Sequence, residues 1–409
     1  MDESAGFLDP TPTVEHFAPR LFSEVMKLAL CLEYPIGLRG GVSVLVEALA
    51  TGLREYHDLL LVSPDSAESL EASGVRSLFG EHICWEPTLV GRASSKSLAA
   101  ALAKRGVRLA HFHFGGVFGW GNRFPFQSPI YYLSRLQIPC ISTVHRAVGI
   151  LDGFCGPQRS MWFKLLMLPL AWCGKAHQLR HVHFEIAVSQ DNFRKLRRWY
   201  WPFRHRFLQI YHARLSEKFS SVTVRSREKI ILNVGHIVQH KGQAVLAEAF
   251  AQIASRHPEW TLQFAGPDVD GLSMEPIRQI AKEYKLEARI CLLGQRNDTL
   301  DLMGRAAIYV QPSFDEALGL ALQEAMYCGC PCIGTSAGGI PELIRDGDTG
   351  VLVEPGAITQ LSDSLVSLMD DEVRRERLGS AAAASIRARG MTLEEMAKHY
   401  LELYGRLAV

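Results

Sequence analysis

Ile308-Tyr309-Val310-Gln311-Pro312-Ser313-Phe314-Asp315-Glu316-Ala317-Leu318-Gly319-Leu320-Ala321-Leu322-Gln323-Glu324-Ala325-Met326 is the stretch on which the reading of this chain turns. Ile308 to Gln311 is an apolar run of strand length, the strand ends near Ser313, and Gly319 opens a helix-like segment from Leu320 to Tyr327. The unpaired N–H groups at a helix start, with about half a unit of positive dipole charge, favour an anion such as phosphate. Gly319 would let that anion approach the backbone closely. Glu316 stands in the loop before the helix and Glu324 on its second turn, so the carboxylates flank the anion position and each can accept a pair of hydroxyls. The competing reading is a capping acid and a solvated helix face. Either Glu alone fits that reading; the pair about a Gly-opened helix favours a site.

Outward from this stretch the same alternation repeats. Ile230–Val234, Thr261–Ala265, Ile290–Leu293, Cys332-Ile333-Gly334 and Val351-Leu352-Val353 are further strand candidates, with helix-like segments such as Ala244–Ala254 between them. In the first half, Met26–Leu32 runs into Gly37-Leu38-Arg39-Gly40-Gly41 and an apolar-periodic helix, Val42–Leu53; Leu59–Val62, Leu109–Phe114, Ile138–Val144 and Ile186–Val188 follow. Short apolar strands alternating with helices imply a parallel sheet covered on both faces. The chain is therefore read as α/β, with two Rossmann-like domains. An arm spans residues 1–25, an N-terminal domain 26–215, a polar linker 216–228 and a C-terminal domain 229–390. Residues 391–409 are expected to form a helix that packs back on the N-terminal domain. Ligands of such sheets bind beyond the carboxyl ends of the strands, so two facing domains place a site in the cleft between them.

Composition narrows the function. At 409 residues the chain is too long for one ordinary core. A hydrophobic fraction of 47% and a charged fraction of 21% are those of a globular protein, and 44 Lys and Arg against 43 Asp and Glu give no support to bulk nucleic-acid binding. The nine cysteines and the absence of a leader-like N-terminal pattern are read as free thiols in a reducing cytoplasm. Cys328, Cys330 and Cys332 have C-x-C-P-C spacing rather than paired C-x-x-C, and are read as buried small apolar positions. Leu165–Trp172, broken by Pro169, is far below the roughly 20 residues needed to span a bilayer.

The central stretch resembles the retaining GT-B glycosyltransferases of glycosyltransferase family 4. Their signature is P-S-x-x-E-x-x-G-L-x-x-x-E-A-M. Pro312-Ser313, Glu316, Gly319-Leu320 and Glu324-Ala325-Met326 match it, and Cys328-Gly329-Cys330-Pro331, Ala337-Gly338-Gly339-Ile340-Pro341-Glu342-Leu343-Ile344, Gly347 and Thr349-Gly350 match the blocks that follow. The resemblance is strong over residues 229–370 and weaker over 26–200. It implies a GT-B architecture with two domains facing across a deep cleft. It implies that Glu316 contacts the donor sugar and Glu324 the nucleotide ribose. It also implies a metal-independent, retaining transfer from a UDP- or GDP-sugar to a saccharide, lipid-linked or small-molecule acceptor, with no bound cofactor.

Several other positions are carried over in the same way. Val234-Gly235-His236-Ile237-Val238-Gln239-His240-Lys241-Gly242 is similar to the family's G-R-x4-K-G diphosphate loop; Lys241 matches, and His236 stands where Arg is expected. Neutral His cannot make the bidentate fork of Arg, and Arg39 is a candidate replacement. Gly40 and Gly41 resemble the family's first Gly-Gly loop, and His145 its strand-end histidine facing the sugar. Gly294, Gln295 and Arg296 fall where main-chain groups meet the base. His111 and His113 resemble an H-x-H strand of structural or acceptor-side role. Ile210-Tyr211-His212-Ala213 replaces an Asn-Gly usual in the family. His177, His181 and His183 leave both a zinc site and an ordinary structural role open.

Phe193 to Phe207 holds six Lys or Arg and six aromatics, which suits peripheral contact with an anionic membrane or acceptor, or a solvated helix with a buried aromatic face. The expected location is cytoplasmic, peripheral at the inner face of the membrane. The alternative to an enzyme is a non-catalytic nucleotide-sugar binder or partner subunit, for which His236 is the motive.

Overall fold

Thirteen strands, all parallel, build two separate sheets in the computed structural model, which describes residues 24–37, 40–86, 91–147, 149–156, 158–216 and 227–407. Most of the expected arm, most of the linker and Arg39 lie outside the described residues. The first sheet has the order β3-β2-β1-β4-β5-β6-β7 and the second β10-β9-β8-β11-β12-β13. Each order reverses direction at its first strand, the topological switch point of a doubly wound sheet.

The first unit runs β1 (Lys27–Leu32), α1 (Gly41–Leu53), β2 (Asp58–Ser63), α2 (Ala67–Ala72), β3 (Glu81–Cys84), α3 (Arg92–Lys104), β4 (Leu109–Phe114), α4 (Pro129–Arg135), β5 (Cys140–Val144), α5 (Ile150–Cys155), α6 (Met161–His181), β6 (Phe184–Ala187), α7 (Gln190–Trp199) and β7 (Phe207–Gln209). The second runs β8 (Glu228–Val234), α8 (Gln243–Ile253), β9 (Thr261–Ala265), α9 (Glu275–Glu283), β10 (Ile290–Leu292), α10 (Thr299–Arg305), β11 (Ala306–Gln311), α11 (Leu320–Tyr327), β12 (Cys332–Thr335), α12 (Ile340–Leu343), β13 (Val351–Val353), α13 (Ile358–Asp370) and α14 (Glu372–Ala388), before a last helix, α15 (Leu393–Leu407).

The strands read as continuous apolar runs because both faces are covered. Along β1, Ala29 and Cys31 enter one core while Leu28, Leu30 and Leu32 enter the other, the period of two that a pleated strand imposes. Ile308 and Val310 against Tyr309 repeat this in β11. β4 is different: Ala110, Phe112 and Phe114 feed one core, but the other face carries His111 and His113, both fully buried.

Those histidines meet α15. This helix lies against α1 of the first unit, and its Met396, Tyr400, Leu401, Leu403 and Tyr404 share a core with Leu45, Val46, Leu49 and Leu53. Gly52 permits the approach, since a Cβ there would lie 2.6 Å from the Ala397 Cβ. His111 Nδ1 is 2.8 Å from the Tyr404 hydroxyl and its Nε2 2.8 Å from Thr143 Oγ1; the Tyr400 hydroxyl is 2.7 Å from His212 Nε2.

Candidate functional site

Gly242 is the first geometric key. Its φ of 71° is left-handed, and a Cβ there would lie 2.0 Å from the Pro312 carbonyl oxygen. Only glycine allows the loop after β8 to rest on the loop after β11 this closely. Phe314 N donates to His240 O at 2.9 Å and ties the two loops. The result is contact between two residues 75 positions apart: Lys241 Nζ lies 2.6 Å from Glu316 Oε2. Gln311 Nε2 and Ser313 Oγ also donate to that oxygen, at 3.1 and 3.4 Å. From above, Gly339 N donates to Glu316 O at 2.9 Å, and a Cβ on Gly338 would overlap the same carbonyl. The Gly338-Gly339 pair therefore fixes the backbone that carries Glu316.

Gly319, with φ 94°, is the N-cap of α11, and Leu320 packs onto a core of the first unit. Glu324 is buried on this helix and pairs with Arg214 Nε at 3.0 Å. Burial raises its carboxyl above the usual range, and Arg214 opposes the shift. Arg214 comes from the segment after β7, so the pair joins the two halves of the chain.

Other joints surround the same place. Arg146 Nε is 2.6 Å from Asp315 Oδ2, next to Glu316. Glu342 at α12 accepts hydrogen bonds from Gln190 N at 2.8 Å and Asp191 N at 2.7 Å, at the amino end of α7, and from the Tyr211 hydroxyl at 3.0 Å. Burial first, then the positive charges of Arg146 and Lys241, push the His240 imidazole down to about 4. Sequence reasoning did not single out Arg146, Arg214 or Glu342 as site residues. Arg146 adjoins His145 and Glu342 lies in the Ile340-Pro341-Glu342 block, but nothing in their spacing announces a partner on the opposite unit.

His145 follows β5 at the carboxyl edge of the first sheet. Its Nε2 is 3.1 Å from His113 Nδ1, and its ring is 5.5 Å from that of His212. Burial lowers this imidazole to about 3, so it is neutral near pH 7 and acts as a hydrogen-bonding group rather than an acid. The Nε2 of His113 is buried without a hydrogen-bond partner.

The remaining candidates are dispersed around the same strand ends. Gly235, Gly294 and Gly41 have no atom within 4 Å of where a Cβ would stand, so their backbone is open to approach. Gly40 caps α1, behind a loop that Asp65 holds through Ile36 N at 2.8 Å and Gly37 N at 3.3 Å. His236 is half-buried, and its carbonyl accepts from Gln243 Nε2 at 2.9 Å. Gln295 is exposed, and Arg296 is engaged by Asp298 at 2.6 Å.

Among the described residues no group of three or more His, Cys, Asp or Glu could hold a metal. Cys328, Cys330 and Cys332 are buried free thiols. A pocket of about 280 Å³ lined by Ser134, Arg135, Arg180, His181, His183 and Arg206 lies where α6 ends and β6 begins, at the opposite end of the sheet from His145. Arg135 and Arg180 occupy last turns of helices, where cations ordinarily offset the dipole.

In the segment 193–207, Phe193, Leu196, Tyr200 and Phe207 turn into a core, with Trp199 and Phe203 packed against it; Trp201 is exposed. Its aromatics mainly serve packing, while Arg194, Arg198 and Arg204 remain at the surface.

Residues 216–385 match the family model described as Glycosyl transferases group 1. N-acetyl-alpha-D-glucosaminyl L-malate synthase of Bacillus anthracis is 34% identical over 163 residues, 40% of this chain and 42% of the relative. D-inositol 3-phosphate glycosyltransferase of Corynebacterium glutamicum is 32% identical over 164 residues, 39% of each. The alignment thus spans about two fifths of the length of these curated relatives. Among solved structures, Anabaena HepE in complex with UDP and glucose is similar with a TM-score of 0.69 at 19% identity, covering 93% of this chain and all of that one. A glycosyltransferase from Rickettsia africae gives 0.71 at 18%, covering 93% and 98%. Two parallel sheets, their order and these likenesses together identify the GT-B fold, in which the match to the Glycosyl transferases group 1 model falls on the second unit.

Proposed function

We propose that this chain is a metal-independent, retaining glycosyltransferase that moves a sugar from a nucleoside-diphosphate sugar, UDP- or GDP-linked, to a saccharide, lipid-linked or small-molecule acceptor. The observation that carries this reading is the contact of Lys241 with Glu316 beside the amino end of α11. The N–H groups of that helix start would take the diphosphate, and Lys241 would offset the charge that develops on the leaving phosphate. Glu316, held by Gln311, Ser313 and the Gly338-Gly339 loop, would hold sugar hydroxyls. Glu324 would hold the ribose. Neutral His145 would bond a sugar hydroxyl from the first unit. Gly235, Gly294 and Gly41, with space above their backbone, would let phosphates and base approach.

In the transfer, the bond from the anomeric carbon to the diphosphate oxygen breaks and a bond to the acceptor oxygen forms on the same face. The acceptor proton passes to the departing diphosphate, so no side-chain base is needed. Closure of the two units would exclude water and limit hydrolysis. The proposed setting is cytoplasmic.

The test is nucleotide release with and without acceptor. Glu316→Ala and Lys241→Ala are each expected to lower acceptor-dependent release by about 100-fold or more, with unchanged thermal melting. Full activity in both defeats the assignment. A second reading, a non-catalytic nucleotide-sugar binder, is favoured by His236 in the diphosphate loop; donor binding in calorimetry with no product across a wide acceptor panel would establish it.

A further inference from the structure

Helix α6 is built inside out. Its inward side carries Lys164, Lys175 and Gln178 with small residues, whereas Trp162 is 84%, Leu166 76% and Met161 62% exposed. Trp162, Leu166, Pro169 and Cys173 follow one another at helical spacing along the outer face, and all are exposed. Such a helix in a water-facing position loses the ordinary reason for its polarity. The inward cations are explained: Lys175 Nζ pairs with Glu185 Oε2 at 2.6 Å, both without exposure, and Lys164 pairs with Asp152. The outward apolar ridge has no such partner among the described residues.

Topology places the ridge. α6 runs from the carboxyl edge of the first sheet back to the start of β6, so Met161 to Leu166 lie at the same edge as His145 and Arg146. Trp172, midway along α6, donates from Nε1 to Trp199 O at 3.1 Å and lies 6.4 Å, ring to ring, from Phe203, which sets α7 and the turn Trp201–Arg206 alongside. That neighbour brings Trp201, 71% exposed, and surface Arg194, Arg198 and Arg204. Arg159 stacks over the Phe163 ring at 5.6 Å. Residues 158–207 hold ten Lys or Arg and two acids, in a chain whose whole net charge is +1.

We propose that this face docks on an anionic lipid bilayer, with the first turns of α6 and Trp201 inserted at the headgroup level and the arginines on lipid phosphates. An apolar ridge flanked by a strong positive excess suits an anionic lipid surface. The positive excess opposes pairing with a second copy, since a twofold contact would set the same charged patch against itself. Resting on the transferase reading, it further implies an acceptor held in the same bilayer, presented at the His145 edge.

Flotation of the full chain with phosphatidylcholine vesicles, with and without phosphatidylglycerol, tests the docking. The chain should float with the anionic vesicles only, and less at high salt. The double variant Trp162→Glu/Leu166→Glu should lower the partition coefficient by about 30-fold or more while thermal melting and donor binding stay unchanged, because both side chains lie outside the core. The inference is overturned if the full chain never floats, or if the double variant floats equally. It is also overturned if light scattering shows a dimer that the variant splits. Donor binding without flotation removes the membrane face and leaves the transferase reading standing.

Discussion

Lys175 and Glu185 show what one buried charge demands of its neighbours. Both side chains are fully buried, and Glu185 Oε2 also accepts from Ser142 Oγ at 2.9 Å and Gln178 Nε2 at 3.0 Å. Lys175→Met removes the cation and strands the carboxylate, so a loss of about 3–5 kcal/mol is expected in urea unfolding. At the site, Lys241→Ala has a different signature. Lys241 is partly exposed, so stability should change little while nucleotide release collapses. Arg146→Ala, which breaks the bond to Asp315, should raise the donor KM with a smaller effect on kcat, because it acts on how the units meet. Equal stability loss in all three variants would contradict this division. Glu316 and Glu324 were legible in the sequence because their spacing about Gly319 is local, and Lys241 because it stands in the separate loop pattern Val234–Gly242. Arg146 and Arg214 were not, since each partner is more than 100 residues away.

At the scale of elements, apolar runs located eleven of the thirteen strands. The two that escaped are edge strands: β3, Glu81-His82-Ile83-Cys84, has no apolar run, and β7 is three residues long. β10 and β13 are edge strands too, but Ile290-Cys291-Leu292 and Val351-Leu352-Val353 are wholly apolar and so stood out. Helix α6 was legible only as a short apolar run, because its exposed stripe and its buried lysines invert the usual pattern. Helix packing offers its own test at Gly52. Gly52→Val pushes a side chain into Ala397 and should cost about 1–3 kcal/mol, read as a lower melting temperature. A milder Gly41→Ala, at the start of the same helix with open space around it, should leave stability within about 1 kcal/mol.

For the molecule as a whole, His111, His113, His145 and His212 form one buried cluster under α15, and burial lowers all four imidazoles. Unfolded, each takes a proton near pH 6.5; folded, each resists until far lower. The folded state thus binds fewer protons below about pH 6.5, and stability is lost as pH falls through that window. The slope reaches up to ~5 kcal/mol per pH unit if all four contribute. Urea midpoints at pH 7.5, 6 and 5 should decline in that order, and Tyr400→Phe should lower all three. The crossing of α15 onto the first unit has one more consequence, for biogenesis. Leu45, Leu49 and Leu53 obtain their cover from a helix made almost 200 residues after the first sheet is complete, so at ribosomal speed they wait roughly 10–40 s. The first unit emerges with an open flank, and its last cover arrives only once Leu393–Leu407 has been made.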